Sequence, residues 1–184
     1  MFQARQRHDP LKNLVGFVVG DVSYAVDITL VREIANPQVL VALPSAPAAV
    51  VGVADYRGEV VPVVDLRVRF GLPLAPATRR TKWILVDVGQ RLVALVVDGV
   101  SDVFGTGGTP LRAAPALGGG EDVRGIAGVT TFEGTMVFVL DTTRFASLTE
   151  SLVDEGAVGP ASLFGGPAGV PGAPPGPLPP GGRR

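Results

Sequence analysis

The sequence predicts an all-β fold made of two small barrels in tandem, and three observations carry that expectation. Hydrophobic residues make up 46% of the 184-residue chain, and the apolar set leans on Val, whose branched side chain packs well on a pleated surface. The apolar runs are short and regularly interrupted by turn residues, the mark of meandering antiparallel strands. The chain also echoes itself: Gly58 to Asp65 reads Gly-x-apolar-Asp, and Gly134 to Asp141 repeats it at the same spacing. Both end in Arg-Phe, LRVRF (66–70) and TTRF (142–145). Gly52-Val53 resembles Gly125-Ile126, and Val26-Asp27 resembles Val97-Asp98. Matches 71 to 76 residues apart point to duplication of one β module.

Taken in order, residues 1–13 are polar and form a flexible arm without the apolar core of a secretory signal. LVGFVV (14–19) and VSYAVDI (22–28) flank Gly20-Asp21 as a hairpin. Residues 35–54 carry no charge over a length that could span a bilayer, but Pro37, Pro44 and Pro47 break any helix there. No membrane insertion is expected. VVGVADY (50–56) and EVVPVVDL (59–66) flank Arg57-Gly58, with Pro62 expected at an edge or a bulge because it cannot donate to a ladder. WILVDV (83–88) and LVALVVDGV (92–100) flank Gly89-Gln90. Residues 105–120 form an irregular connection. A terminal helix over 142–153 is capped by Asp141 or Thr142. Residues 156–184 form a disordered tail, where from Gly159 onward Gly and Pro supply 16 of 26 residues. A Pro-rich ligand for an SH3-like partner is the alternative reading of that tail. The two barrels are expected to divide near residue 80, as 14–80 and 81–155.

Composition excludes several functions. The net charge of −1 lacks the cationic surplus that phosphate backbones select. There are no cysteines, and the single histidine, His8, lies in the polar arm, so neither a thiolate nor a Ser-His-Asp device has its parts. GTGGT (105–109) and GGGEDVRG (118–125) lack the Gly-Lys-Ser/Thr ending of a phosphate loop. Asp27, Asp65, Asp87, Asp98 and Asp141 sit at strand ends, where Asp bonds local backbone N–H groups. No cofactor, metal or catalytic residue is expected.

The stretch VVGVADYRGEVVPVVDLRVRFGL (50–72) resembles the signature segment of the CheW family of chemotaxis coupling proteins. YAVDITLVREI (24–34) and GQRLVALVVDGVSDV (89–103) are similar to further pieces of that family, and the resemblance covers about 14–150. It implies two tandem five-stranded SH3-like β-barrels and a cytoplasmic adaptor without chemistry of its own. Such an adaptor links the cytoplasmic tips of methyl-accepting chemoreceptors to the regulatory domain of a CheA-type histidine kinase in receptor arrays.

By position, Val31, Glu33 and Ile34 match the Val-x-Glu-Ile element at the receptor surface, and Arg57 and Gly58 match the Arg-Gly turn. Glu33 and Arg57 are thereby implied as a functional pair, for which a bidentate bond would fix two loops. Gly52, Val53, Asp55 and Tyr56 complete the candidate site. Where family members usually carry Asn-Leu, this chain has Asp55-Tyr56, adding an aromatic anchor and an acid able to compete with Glu33 for Arg57. From the residues alone, Glu33 and Arg57 also read as unrelated solvated charges, and Val31, Ile34 and Val53 as core. The receptor helix is expected in a groove between the barrels. A nucleic-acid-binding small barrel is the alternative function, and a carboxylate hydrolase a remote third.

Overall fold

The computed structural model describes residues 13–89, 91–108, 110–113, 125–146 and 148. Among the described residues ten strands run β1 (Asn13–Val19), β2 (Val22–Asp27), β3 (Val31–Ala35), β4 (Val50–Tyr56), β5 (Glu59–Asp65), β6 (Lys82–Val88), β7 (Arg91–Val97), β8 (Gly99–Gly105), β9 (Ile126–Phe132) and β10 (Thr135–Leu140). One helical turn, α1 (Leu66–Arg69), follows β5, and 3-10 turns span Ile28–Leu30 and Thr142–Phe145. Asn13, expected in the arm, already pairs with Gly105 as part of β1. The rest of the arm, the far end of the terminal helix and the Gly/Pro tail lie outside the described residues.

The strands form the two expected five-stranded units, in the orders β8-β1-β2-β10-β9 and β3-β6-β7-β5-β4. The expected division at residue 80 does not separate them. The first barrel takes β1 and β2 from the first repeat and β8 to β10 from the second. The second barrel takes β6 and β7 from the second repeat and β3 to β5 from the first. The reason lies in two short joints. Between β7 and β8 stands only Asp98, too little chain for a two-residue hairpin, so the strand runs on into the neighbouring sheet. Between β2 and β3 stands one 3-10 turn, whose cap Asp27 accepts from the Thr29 N–H at 2.8 Å. The meander is also not wholly antiparallel, since β10 runs parallel to β2 and β5 parallel to β7.

Three apolar clusters result. Ala54, Tyr56, Val61, Trp83, Leu85 and Leu92 fill the second barrel. Leu14, Ala25, Phe104, Val137 and Val139 fill the first more thinly. The largest cluster joins the barrels, bringing Phe17 and Val26 of the first against Ile84 and Leu95 of the second, with Leu66 and Phe145 from the two terminal turns. Asp98 reinforces that joint. It accepts from the Gly20 N–H at 2.7 Å, in the first barrel's turn, and from Arg67 Nε at 2.8 Å, on α1.

Local signals behave as their chemistry requires. Asp65 caps α1 by accepting from the Arg67 N–H, and Asp141 caps the last 3-10 turn through the Thr143 N–H. Pro62 sits neither at an edge nor in a bulge. β5 lies between β7 and β4, but its pairing with β7 begins only at Val63, so the missing N–H falls just before that ladder. Among the described residues, no helix is long and apolar enough to cross a membrane.

Candidate functional site

The site is built on the β4–β5 hairpin, where Tyr56 pairs with Glu59 across Arg57-Gly58. Both tip residues have positive φ, 55° at Arg57 and 86° at Gly58, the signature of a type I′ turn, whose twist matches the flanking strands. Asp55 secures the turn by accepting from the Gly58 N–H at 2.8 Å. It therefore does not compete with Glu33 for Arg57. An arginine in the left-handed region is uncommon, and such positions gather where function requires them.

Glu33 comes from β3, the edge strand of the same barrel, beside a register shift between Val31 and Glu33. It receives Arg57 Nη2 at 2.7 Å on its Oε2, and the Tyr56 hydroxyl donates to the same oxygen. The expected pair thus forms, through one N–H rather than a bidentate fork. The guanidinium carbon also lies 5.2 Å from the centre of the Tyr56 ring, within cation–π range. Bonding to Glu33, then burial, raises the Tyr56 phenol above its ordinary pKa, with Arg57 opposing.

Tyr56 is not the exposed anchor that its type suggested. The residue is 8% exposed, and its ring packs inside the barrel with Trp83, Leu85 and Leu92. Only the hydroxyl reaches the mouth. Arg57 is the exposed member, its side chain 74% accessible against 35% for Glu33. Ile34 is exposed beside them, and Val31 is half-buried against the shared core.

Gly52 and Val53 do not join this cluster. Val53 exchanges two backbone bonds with Val41, at 2.8 and 2.9 Å, and blunts the outer edge of β4. Gly52 has φ +152°, and a Cβ there would stand 2.5 Å from the Val41 carbonyl oxygen. Their role is to admit that bridge.

Sequence reasoning missed the rest of the mouth. Arg32 pairs with both carboxylate oxygens of Asp87 at 3.2 Å, and Glu59, Arg91 and Leu92 complete the lining of the pocket. The signal was alternating charge in VRE and VDV. It becomes legible only once β3 is known to lie on β6, a pairing that crosses the repeats. Among the described residues, no cluster of three or more His, Cys, Asp or Glu could hold a metal ion. The arrangement offers ion pairing and apolar contact to another molecule.

Comparison with known proteins agrees with this architecture. The family model described as CheW-like domain matches residues 13–150. The chain is 35% identical over 130 residues to a chemotaxis protein CheW of Rhizobium meliloti, covering 71% of this chain and 84% of that protein. It is 32% identical over 139 residues to the CheW of Klebsiella aerogenes, covering 75% and 84%. Among solved structures, the scaffolding protein TtCheW from Thermoanaerobacter tengcongensis shares the fold, with a TM-score of 0.64 at 24% identity, covering 70% of this chain and 88% of that one.

Proposed function

Because the chain belongs to the CheW-like domain family, a family of chemotaxis scaffolds and not of enzymes, we propose that it couples chemoreceptors to a CheA-type histidine kinase. In this reading it holds the cytoplasmic tip of a methyl-accepting receptor and the regulatory domain of the kinase together in a cytoplasmic array at the membrane. The state of one then biases the other through contacts that differ between receptor states. The observation that supports it best is the mouth of the second barrel. Glu33 on the edge strand β3 bonds Tyr56 and Arg57 of the tip, and Ile34, next to it in β3, is an exposed apolar side chain.

The receptor helix needs an apolar seat, and the space between the barrels is taken by the shared core. An apolar groove opens instead at the end of the first barrel, lined by Leu14, Leu30, Leu111 and Val139, and suits the i/i+3/i+4/i+7 anchors of an amphipathic helix. The neutral net charge supports this reading over the nucleic-acid alternative. Co-sedimentation of the full chain with the receptor tip and kinase encoded in the same genome tests it. Arg57→Glu is expected to reduce ternary assembly at least tenfold with an unchanged thermal melt. Unchanged assembly at full stability would remove Arg57 from the interface, and no assembly by the native chain would remove the adaptor reading.

A further inference from the structure

We propose that Tyr56 is the positioning residue of this site: its hydroxyl holds Glu33 at the barrel mouth, and Arg57 is thereby left free to pair with a carboxylate of the docked protein. The inference rests on the adaptor reading above and adds the chemistry of the contact. Two donors converge on one oxygen, Glu33 Oε2, and they are held very differently. Tyr56 belongs to the barrel interior, fixed by Trp83, Leu85 and Leu92. Arg57 stands at a turn tip with its side chain 74% exposed, spending one of its N–H donors on Glu33.

An exposed ion pair of this kind is held weakly, so a carboxylate brought by a partner exchanges with Glu33 at little cost. The Glu33 side chain is 35% exposed, and with Arg57 gone the Tyr56 hydroxyl would still hold its carboxylate in place. Of the other nearby acids, Asp55 bonds the Gly58 N–H, Asp87 pairs with Arg32, and Glu59, which lines the same pocket, makes no ion pair with Arg57. The partner group that Arg57 lacks is therefore an external anion, and at a protein interface that is an Asp or Glu side chain.

The first barrel accommodates a ring without the hydroxyl at the matching position. Phe132 stands at the same place in the β9–β10 hairpin, opposite Thr135 as Tyr56 is opposite Glu59. Tyr56→Phe thus keeps the packing and removes only the hydrogen bond, leaving Glu33 to compete for Arg57.

The test is calorimetric titration of the full chain with the regulatory domain of the CheA-type kinase. Tyr56→Phe is expected to weaken binding about five- to tenfold as Glu33 competes for Arg57, about the worth of one hydrogen bond, with a melting temperature lowered by only a few degrees. Adding Glu33→Gln releases Arg57 and is expected to restore affinity to about the native value. Native affinity in Tyr56→Phe, or failure of the second substitution to restore it, would overturn the proposal. If the native chain does not bind, the adaptor reading fails, and a second measurement still decides the bond. With Tyr24→Phe the chain keeps one tyrosine of its two, whose phenol should titrate above the ordinary range and return to it on Glu33→Gln. An ordinary titration in both chains would overturn the assignment.

Discussion

The β4–β5 and β9–β10 hairpins share one backbone and differ in their chemistry. Arg57-Gly58 and Glu133-Gly134 both turn through two positive-φ residues, and Val53 and Val129 are each bridged at the outer edge, by Val41 and by Arg112. Yet the tips carry opposite charge, and where Tyr56 sends a hydroxyl to Glu33, Phe132 stacks on Phe104 at 4.2 Å. The barrel interiors differ likewise. β1 and β6 have identical patterns of burial, but Trp83 and Leu85 of β6 stand where β1 has Leu14 and Gly16. A Cβ at Gly16 would meet the Ser101 hydroxyl oxygen at 2.6 Å, so β8 lies close over that position. The candidate site is therefore distinguished by a few side chains on one copy, over a bulkier interior, and not by the architecture the two copies share.

The sharpest way to break this comparison is to empty both interiors. Trp83→Ala should cost about 3–5 kcal/mol by urea unfolding, against about 2–3 kcal/mol for Leu14→Ala, following the volumes removed. Equal losses would show that the thin interior is no weaker. The joint between the barrels comes next. Partial burial would push the Asp98 carboxyl up, but its bonds from Arg67 and the Gly20 N–H, with the Arg67 charge, hold it below the ordinary value. A lowered folded-state pKa contributes stability above the unfolded value, near 3.9, and loses it as pH falls through the lower folded value. Asp98→Asn should therefore cost about 1 kcal/mol at neutral pH and flatten the acid limb of the stability profile, while leaving the neutral-to-alkaline limb alone. A native-like acid limb in this variant would contradict the role of the joint.

Smaller effects sharpen the tips. Phe132→Tyr with Glu133→Arg transplants the second barrel's donors to the first, where Asp102 on β8 corresponds to Glu33 on β3. A new contact from the guanidinium introduced at the β9–β10 tip to Asp102, seen by NMR or crystallography at a stability change within about 1 kcal/mol, would show that the site is portable. Its absence would mean that β3 presents its acid differently from β8. Last, Arg57→Asn and Glu133→Asn each relax a left-handed residue and should stabilise by about 0.5–1 kcal/mol. Only the first should reduce partner assembly.

The same pair of hairpins shows what is legible in the sequence. Two-residue turns, the caps of Asp27, Asp65 and Asp141 and the Gly-apolar-Asp echo depend on neighbours within a few positions and are found in the structure, whereas Asp87 and Asp98, expected to bond local backbone, bond Arg32 and the distant Gly20 and Arg67 instead. The longer echo is out of phase with the structure. Gly52-Val53 corresponds to Gly128-Val129, and Gly125 to Ala49, as the shared bond into the cap residue shows: the Asp65 N–H donates to Ala49 and the Asp141 N–H to Gly125. In phase, GVADYRG and GVTTFEG align without a gap, and Arg69 falls against Phe145 instead of Phe70. The strand exchange is not legible, because similarity between repeats records descent and says nothing of which strand lies beside which. The Arg32–Asp87 pair stays hidden for that reason, depending on β3 crossing to β6, while the inward ring of Tyr56 depends on its packing with Trp83, Leu85 and Leu92 of β6 and β7.

That crossing sets the order in which the chain becomes a protein. As it leaves the ribosome, β1 and β2 must wait for β8, with Leu14 opposite Phe104, and β3 must wait for β6. No stretch ending before β10 completes the first barrel. The second barrel, whose strands β3 to β7 are consecutive, is whole once residue 97 has emerged, while the first keeps the outer edges of β1 and β2 unpaired until β8 to β10 follow, the slow, long-range kind of assembly.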